Sequence, residues 1–192
     1  NGDGATDANH RFNLEQYLNS SEQTSLKTRI WNENCRAISD CHELDQGTKN
    51  RMIQRVQSNE LAQMLHVELL EVSPPSSPEE VVCLRSRMRI DQKHMAGTGM
   101  VHRGSINCLA ESSLQVASAM FHCDLTHMKI HFVNSSASVG DEFICNVMVV
   151  QSNGDQLVLD ATISHNYAND SNSVHAQQRS SNRITAHARG TS

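Results

Sequence analysis

Residues 91–121 constrain this chain more than any other stretch. They open as a loop holding Gly97 and Gly99, pass through Val101-His102-Arg103-Gly104-Ser105, and become the most regular helical pattern in the sequence. The helix is rich in small residues, among them Ala110, Ser113, Ala117 and Ser118, and carries a single acid, Glu111. Small side chains let neighbouring strands approach a helix backbone closely. The pattern therefore predicts a helix with sheet wrapped round it, and strand-like sequence lies on both sides.

Upstream, residues 66–72 read as a strand, and a proline-rich turn at 74–78 leads to another over 80–90. In that second strand Val82, Leu84, Ser86, Met88 and Ile90 alternate with Arg85, Arg87 and Arg89, the period of a half-buried strand. The two are expected to form a hairpin with a long tip. Downstream, Met128, Ile130 and Phe132 alternate with His127, Lys129 and His131. A β-rich run over 142–151 follows. Asn153-Gly154 is a strong two-residue hairpin signal before a last strand with Leu157, Leu159, Ala161 and Ile163. The expected architecture is α+β: a hairpin, one long helix, then an antiparallel meander, giving a sheet of about five strands.

The ends differ in character. Residues 1–57 form an N-terminal extension, partly helical. Phe12, Leu14, Tyr17 and Leu18 suggest a short amphipathic turn, and Leu26, Ile30 and Trp31 a second helix. Met52, Ile53 and Val56, followed by Leu61, Met64 and Leu65, recur at helical spacing, with Ser58 placed to cap a separate short helix over 59–65. Residues 168–192 are Asn, Ser, Gln, His and Arg with few apolar positions, and read as a flexible tail.

Composition narrows the function classes. The chain has 192 residues, a net charge of -5 and 4% aromatics. Such a charge gives no general electrostatic case for nucleic acid or anionic membrane. No apolar run reaches the length of a membrane span, and the first ten residues lack a signal peptide's basic and apolar regions. The six cysteines form no CxxC, and several sit in apolar runs. They read as reduced thiols of an intracellular protein, cytoplasmic or organellar. Cys35 and Cys41 are the one plausible loop pair.

At this point the residues resemble a known family. Gly99-x-Val101-His102-x-Gly104-x-Ile106-x-x-Leu109-Ala110-Glu111 is similar to the loop-and-helix signature of hotdog-fold acyl-CoA thioesterases of the phenylacetic-acid type. Met128-x-Ile130-x-Phe132 and Val139-Gly140-Asp141 resemble the family's downstream element, so the likeness covers residues 58–167. It implies a hotdog fold with an antiparallel sheet round one central helix. It implies assembly as a homodimer or homotetramer, and a thioester site between the helix of one subunit and the loop of another. An acyl-CoA would be cleaved to free acid and CoA, with the CoA thioester as substrate and no separate cofactor.

By the same resemblance, Glu111 would activate water or attack the thioester carbonyl, since a carboxylate in an apolar cleft can take the proton that makes water a nucleophile. The helix start at Arg103 and Gly104 would offer backbone N–H groups to the thioester oxygen. Two positions depart from the pattern. The family's Asn, six residues before the signature His, falls on Ala96, which cannot hydrogen-bond through its side chain. The first Gly of the family's His-Gly-Gly is Arg103, placed either to bind a CoA phosphate or to obstruct the cleft. His94 is a candidate stand-in for the missing Asn, and Asp124 or Thr126 for a further polar residue. His102 fits a structural role, fixing the loop by hydrogen bonding.

Blander readings stand beside these. Asn107, Glu111, Gln115 and Ser118 form one polar helix stripe, which by itself predicts a solvated face. The Arg85/Arg87/Arg89 row suits an exposed strand face. His122, Cys123, His127 and His131 lack clean metal-ligand spacing, so no metal site is expected. Cys108 lies one turn from Glu111, but its neighbours suggest packing. A hotdog protein that binds acyl-CoA or serves as an assembly partner without hydrolysis is the alternative function. A hydratase-type reaction ranks last, because no paired Asp/His motif of that kind is present.

Overall fold

A computed structural model of the chain describes residues 21–74, 82–97, 99–132, 135–153, 156–166 and 181–190. Helices α1 (Ser21–Ser39), α2 (Gln46–Ser58) and α3 (Glu60–Met64) precede strands β1 (Val67–Val72) and β2 (Val82–Arg89). A 3-10 turn, Gln92–His94, leads through the glycine loop into α4 (Arg103–Met120). Strands β3 (Cys123–His131), β4 (Glu142–Asn153), β5 (Gln156–Asn166) and β6 (Ser181–Gly190) complete the order.

The α+β architecture is as expected, with two corrections to the sheet. It has six strands among the described residues, not about five, in the order β1-β2-β4-β5-β6-β3. The sixth, Ser181–Gly190, comes from the segment expected to be a flexible tail and pairs antiparallel with β5 and β3. A strand hydrogen-bonded on both sides is held through its backbone, and so needs little of the apolar alternation that a sequence pattern detects. The expected meander is also corrected: β3 does not pair with β4. β4 lies between β2 and β5, and β3 sits at the far edge.

The β1–β2 and β4–β5 pairs are antiparallel, as their alternation and the Asn153-Gly154 signal predict. The amphipathic turn expected over residues 12–18 and the turn at 154–155 lie outside the described residues. Residues 46–64 form two helices, but the second is capped by Asn59 and not by Ser58. The Asn59 side chain accepts the Ala62 N–H at 2.9 Å.

α4 lies across the sheet, with Ile106, Leu109, Leu114 and Ala117 completely buried. Leu84 and Met88 of β2, Phe143 and Val147 of β4, and Leu159 and Ile163 of β5 face the same core. Each such Leu or Ile removed from water contributes about 1.5–3 kcal/mol. One polar link crosses this core: Ser86 Oγ on β2 lies 2.5 Å from Ser113 Oγ on α4. Ser113 donates to the Leu109 carbonyl at 2.6 Å, so Ser86 is the donor between the two hydroxyls.

The N-terminal helices cover what the sheet leaves open. α2 packs along α4, and α1 along β1. Asn34 of α1 is buried and bonds the outer edge of β1 like a neighbouring strand. Its Nδ2 donates to Val67 O at 3.0 Å, and its Oδ1 accepts the Leu69 N–H at 2.7 Å. An open sheet edge invites pairing with other chains, and a covered one does not. No helix among the described residues is long and apolar enough to cross a membrane.

Candidate active site

The loop before α4 is a small hairpin. Met95 bridges Val101, the Ala96 N–H donates to Met100 O at 2.8 Å, and the His102 N–H to His94 O at 2.7 Å. Gly97 and Gly99 take φ values of +101° and +71°, a region that costs L side chains about 1–2 kcal/mol. The Val101 N–H donates to Ser135 O at 2.8 Å, which ties the hairpin to the segment after β3.

His94 holds this loop from beneath. It is completely buried. Its Nδ1 lies 2.9 Å from both the Asp91 amide nitrogen and Asp91 Oδ1, and its Nε2 stands 3.1 Å from Leu65 O. A carbonyl only accepts, so Nε2 carries the hydrogen. The expectation that His94 replaces the missing Asn against substrate is corrected: both nitrogens are engaged and none of the ring is open. Ala96 is exposed on the hairpin and offers no side-chain hydrogen bond.

His102 caps α4. Its Nδ1 accepts the Gly104 N–H at 3.0 Å, and its carbonyl takes the Ser105 and Ile106 amides at 2.9 and 3.4 Å. The bond fixes the start of the helix. It also qualifies the expected role of Gly104, whose N–H is already committed. Among the described residues no acceptor stands against the Arg103 amide, the first of the helix. Arg103 itself is exposed, with its guanidinium 5.5 Å from the centre of the Phe132 ring.

Only Arg103, Gly104, Asn107, Glu111 and Gln115 of α4 escape burial. Arg103, Asn107, Glu111 and Gln115 recur every four residues and so form one row. The Glu111 carboxylate is gripped from both sides, by Asn107 Nδ2 at 3.4 Å and Gln115 Nε2 at 3.2 Å. Gln115 is oriented in turn by Asn59, whose Nδ2 donates to Gln115 Oε1 at 3.4 Å. Sequence reasoning missed Asn59, because it lies outside the helix it serves. Its one signal was its place before a second apolar run. The stripe is therefore more than a solvated face: two amides fix the Glu111 carboxyl group from both sides.

Glu111 lies eight residues beyond Arg103, a rise of about 12 Å along the helix. A nucleophile or base and an oxyanion donor must both lie about 3 Å from one reacting centre. Glu111 and the helix start are therefore too far apart along the helix to touch one carbonyl side by side. A small cavity lies beside the stripe. The cavity there, lined by residues including Ala62, Val67, Ser112 and Val116, measures about 20 Å³, room for roughly one water.

Burial, and then the charge of Glu111, push the Cys108 thiol up to about 12, so it is no nucleophile at neutral pH. Arg87 bonds Glu68 at 2.5 Å and Glu142 at 3.4 Å, and Arg85 lies 3.5 Å from Glu71. These are cross-strand ion pairs. Asp124 pairs with Arg55 of α2 at the other end of α4. His127 and His131 are exposed on β3.

With this geometry in place, the fold can be assigned to a class. It is the hotdog fold. Solved structures of that fold align along most of their length. The PaaI protein of the Escherichia coli phenylacetic acid degradation operon matches at TM-score 0.58 and 14% identity, over 78% of this chain and 96% of its own. A thioesterase family protein from Silicibacter pomeroyi matches at 0.58 and 15%, over 74% and 97%. A Streptococcus mutans protein bound to acetyl CoA matches at 0.50 and 15%, over 65% and 88%. The E. coli match extends beyond residues 58–167, so the shared fold takes in more of the chain than the sequence resemblance does. No protein family and no curated protein sequence matches the chain.

Proposed function

We propose that the chain is an acyl-CoA thioesterase-like hydrolase, intracellular and at least dimeric. Glu111 of one subunit acts on a thioester whose oxygen meets the helix start of another. The observation that carries this reading is the Glu111 carboxylate, held by two amides on the one row of the central helix left unburied. The rise of about 12 Å from Arg103 supports a site composed of two copies. The acetyl CoA bound to the Streptococcus mutans protein supports the substrate class. Six free cysteines support a reducing compartment.

Thiol release from a panel of acyl-CoAs tests the proposal. Wild-type protein is expected to turn over at least one of them, and Glu111→Gln to lose about 10²- to 10⁴-fold of that rate. No turnover at any chain length would sink the enzyme reading. Unchanged turnover in the variant would sink Glu111 as the base. A second reading has its own support: the Gly104 amide is taken by His102, and Ala96 carries no hydrogen-bonding side chain. A protein so built would bind acyl-CoA without cleaving it. Saturable acyl-CoA binding with no thiol release distinguishes it.

A further inference from the structure

At the far end of α4 lies an open cleft of about 510 Å³, the size of a small-ligand site. Its floor is Ala119, His122 and Cys123, and its wall is the face of α2 bearing Arg51, Gln54, Arg55 and Ser58. Arg51 and Arg55 are one helical turn apart with Gln54 beside them, while the Ser58 hydroxyl donates to the Arg55 carbonyl at 3.2 Å. The cleft's one carboxylate, Asp124, is paired to Arg55.

Arg51 is different. It has no carboxylate within ion-pair distance among the described residues, and its Nε is buried without a partner. Its Nη2 donates to Thr48 Oγ1 at 2.9 Å and lies 2.5 Å from His122 Nε2. Thr48 passes its own hydrogen to Asp45 Oδ2 at 2.6 Å. A guanidinium only donates, so His122 Nε2 must accept and leave its other nitrogen to carry the hydrogen. His122 is held there by a left-handed backbone, φ +58°. The result is a positive charge with no direct ion pair, offset in part by nearby Asp45, beside an imidazole and an amide on a chain of net charge -5. The groove of about 490 Å³ beside β1 shows the contrast. Its Glu33, Asp40, Glu68 and Glu71 outnumber Arg36 and Arg87.

We infer that the α2–α4 cleft binds the phosphate group of a small molecule, with Arg51 as the main anchor and His122 and Gln54 as further donors. The site is separate from Glu111, which lies eight residues, about 12 Å of helix, from Ala119. It does not depend on the thioesterase reading. The phosphate has two chemical sources, a free inorganic ion or a nucleotide.

Amide NMR of the full chain, titrated separately with inorganic phosphate and with adenosine 3′,5′-bisphosphate, tests the inference. Saturable shifts at Arg51, Gln54, Ser58 and His122 are expected, with Arg36 and Arg87 unmoved. Tighter binding of the bisphosphate identifies a nucleotide site, and equal binding a site for the phosphate alone. Arg51→Gln should weaken either by about tenfold or more, and Arg51→Lys by less. Shifts as large at Arg36 and Arg87 as at Arg51, or no saturation with either probe, would overturn the inference. The wild-type spectrum decides this even if a variant fails to fold.

Discussion

Gly104 and His102 fit each other as amide and cap. The Gly104 N–H reaches His102 Nδ1 at 3.0 Å, and a Cβ on Gly104 would stand 2.9 Å from that same nitrogen. Glycine is therefore what lets the imidazole close over the first turn. Gly104→Ala should push the ring away, and His102→Ala should remove the acceptor. Each is expected to cost about 1 kcal/mol, as lost caps do. Urea unfolding should show a lower midpoint with an unchanged slope.

Asn34→Ala carries a larger expected cost. It strips two buried backbone groups of β1, the Val67 carbonyl and the Leu69 amide, of their partner. A loss of about 2–4 kcal/mol is expected for two such groups. Because the uncovered strand edge can then pair with other copies, the variant should also aggregate faster on warming. Light scattering alongside unfolding measures both effects.

His66 makes stability depend on pH. Burial first, and the neighbouring Lys93 charge next, hold its imidazole down at about 4, from an ordinary 6.5. Lys93 Nζ donates to His66 Nδ1 at 2.8 Å, which requires that nitrogen to be unprotonated. The unfolded chain therefore takes a proton at higher pH than the folded one. The contribution is fully present above 6.5 and is lost as pH falls from 6.5 to about 4. Asp91 adds a lower window. Burial raises its carboxyl, but the His94 hydrogen bond and nearby charges outweigh this and hold it at about 2 against 3.8. Its contribution is lost as pH falls from 3.8 to about 2. His66→Asn, which suits the left-handed backbone at φ +55°, should flatten unfolding midpoints across the upper window only.

The cysteines should react in two classes. Cys83, Cys108 and Cys145 are each pushed up to about 12, chiefly by burial, and Cys123 is buried. Cys35 and Cys41 are only half-buried. Brief alkylation of the native protein, read by peptide mass spectrometry, should label the latter two and spare the other four until urea unfolds the chain.

The central segment was legible in the sequence because its constraints are local. Glycines at positive φ, a small-residue helix and alternating strands all announce themselves within a few residues. β6 did not, because its place between β5 and β3 is fixed by backbone pairing and not by an apolar pattern. The strand order was equally hidden: nothing near His127 or Met128 says that the partner lies some sixty residues further on. At the site, the positions of Glu111 and His102 could be read from the motif. The grip of Asn107 and Gln115, the remote support from Asn59 and the burial of His94 are tertiary facts. They depend on which helix lands beside α4.

The position of β6 also sets an order of events during synthesis. β3 is made well before β6, its one sheet neighbour among the described residues, with Cys123 opposite Gly190. Until the ribosome has released that distant segment, β3 can lean on α4 but has no strand to pair with. Non-local pairings of this kind are slow to form and leave an edge exposed in the meantime. For this chain the vulnerable interval is the time between the emergence of β3 and that of β6.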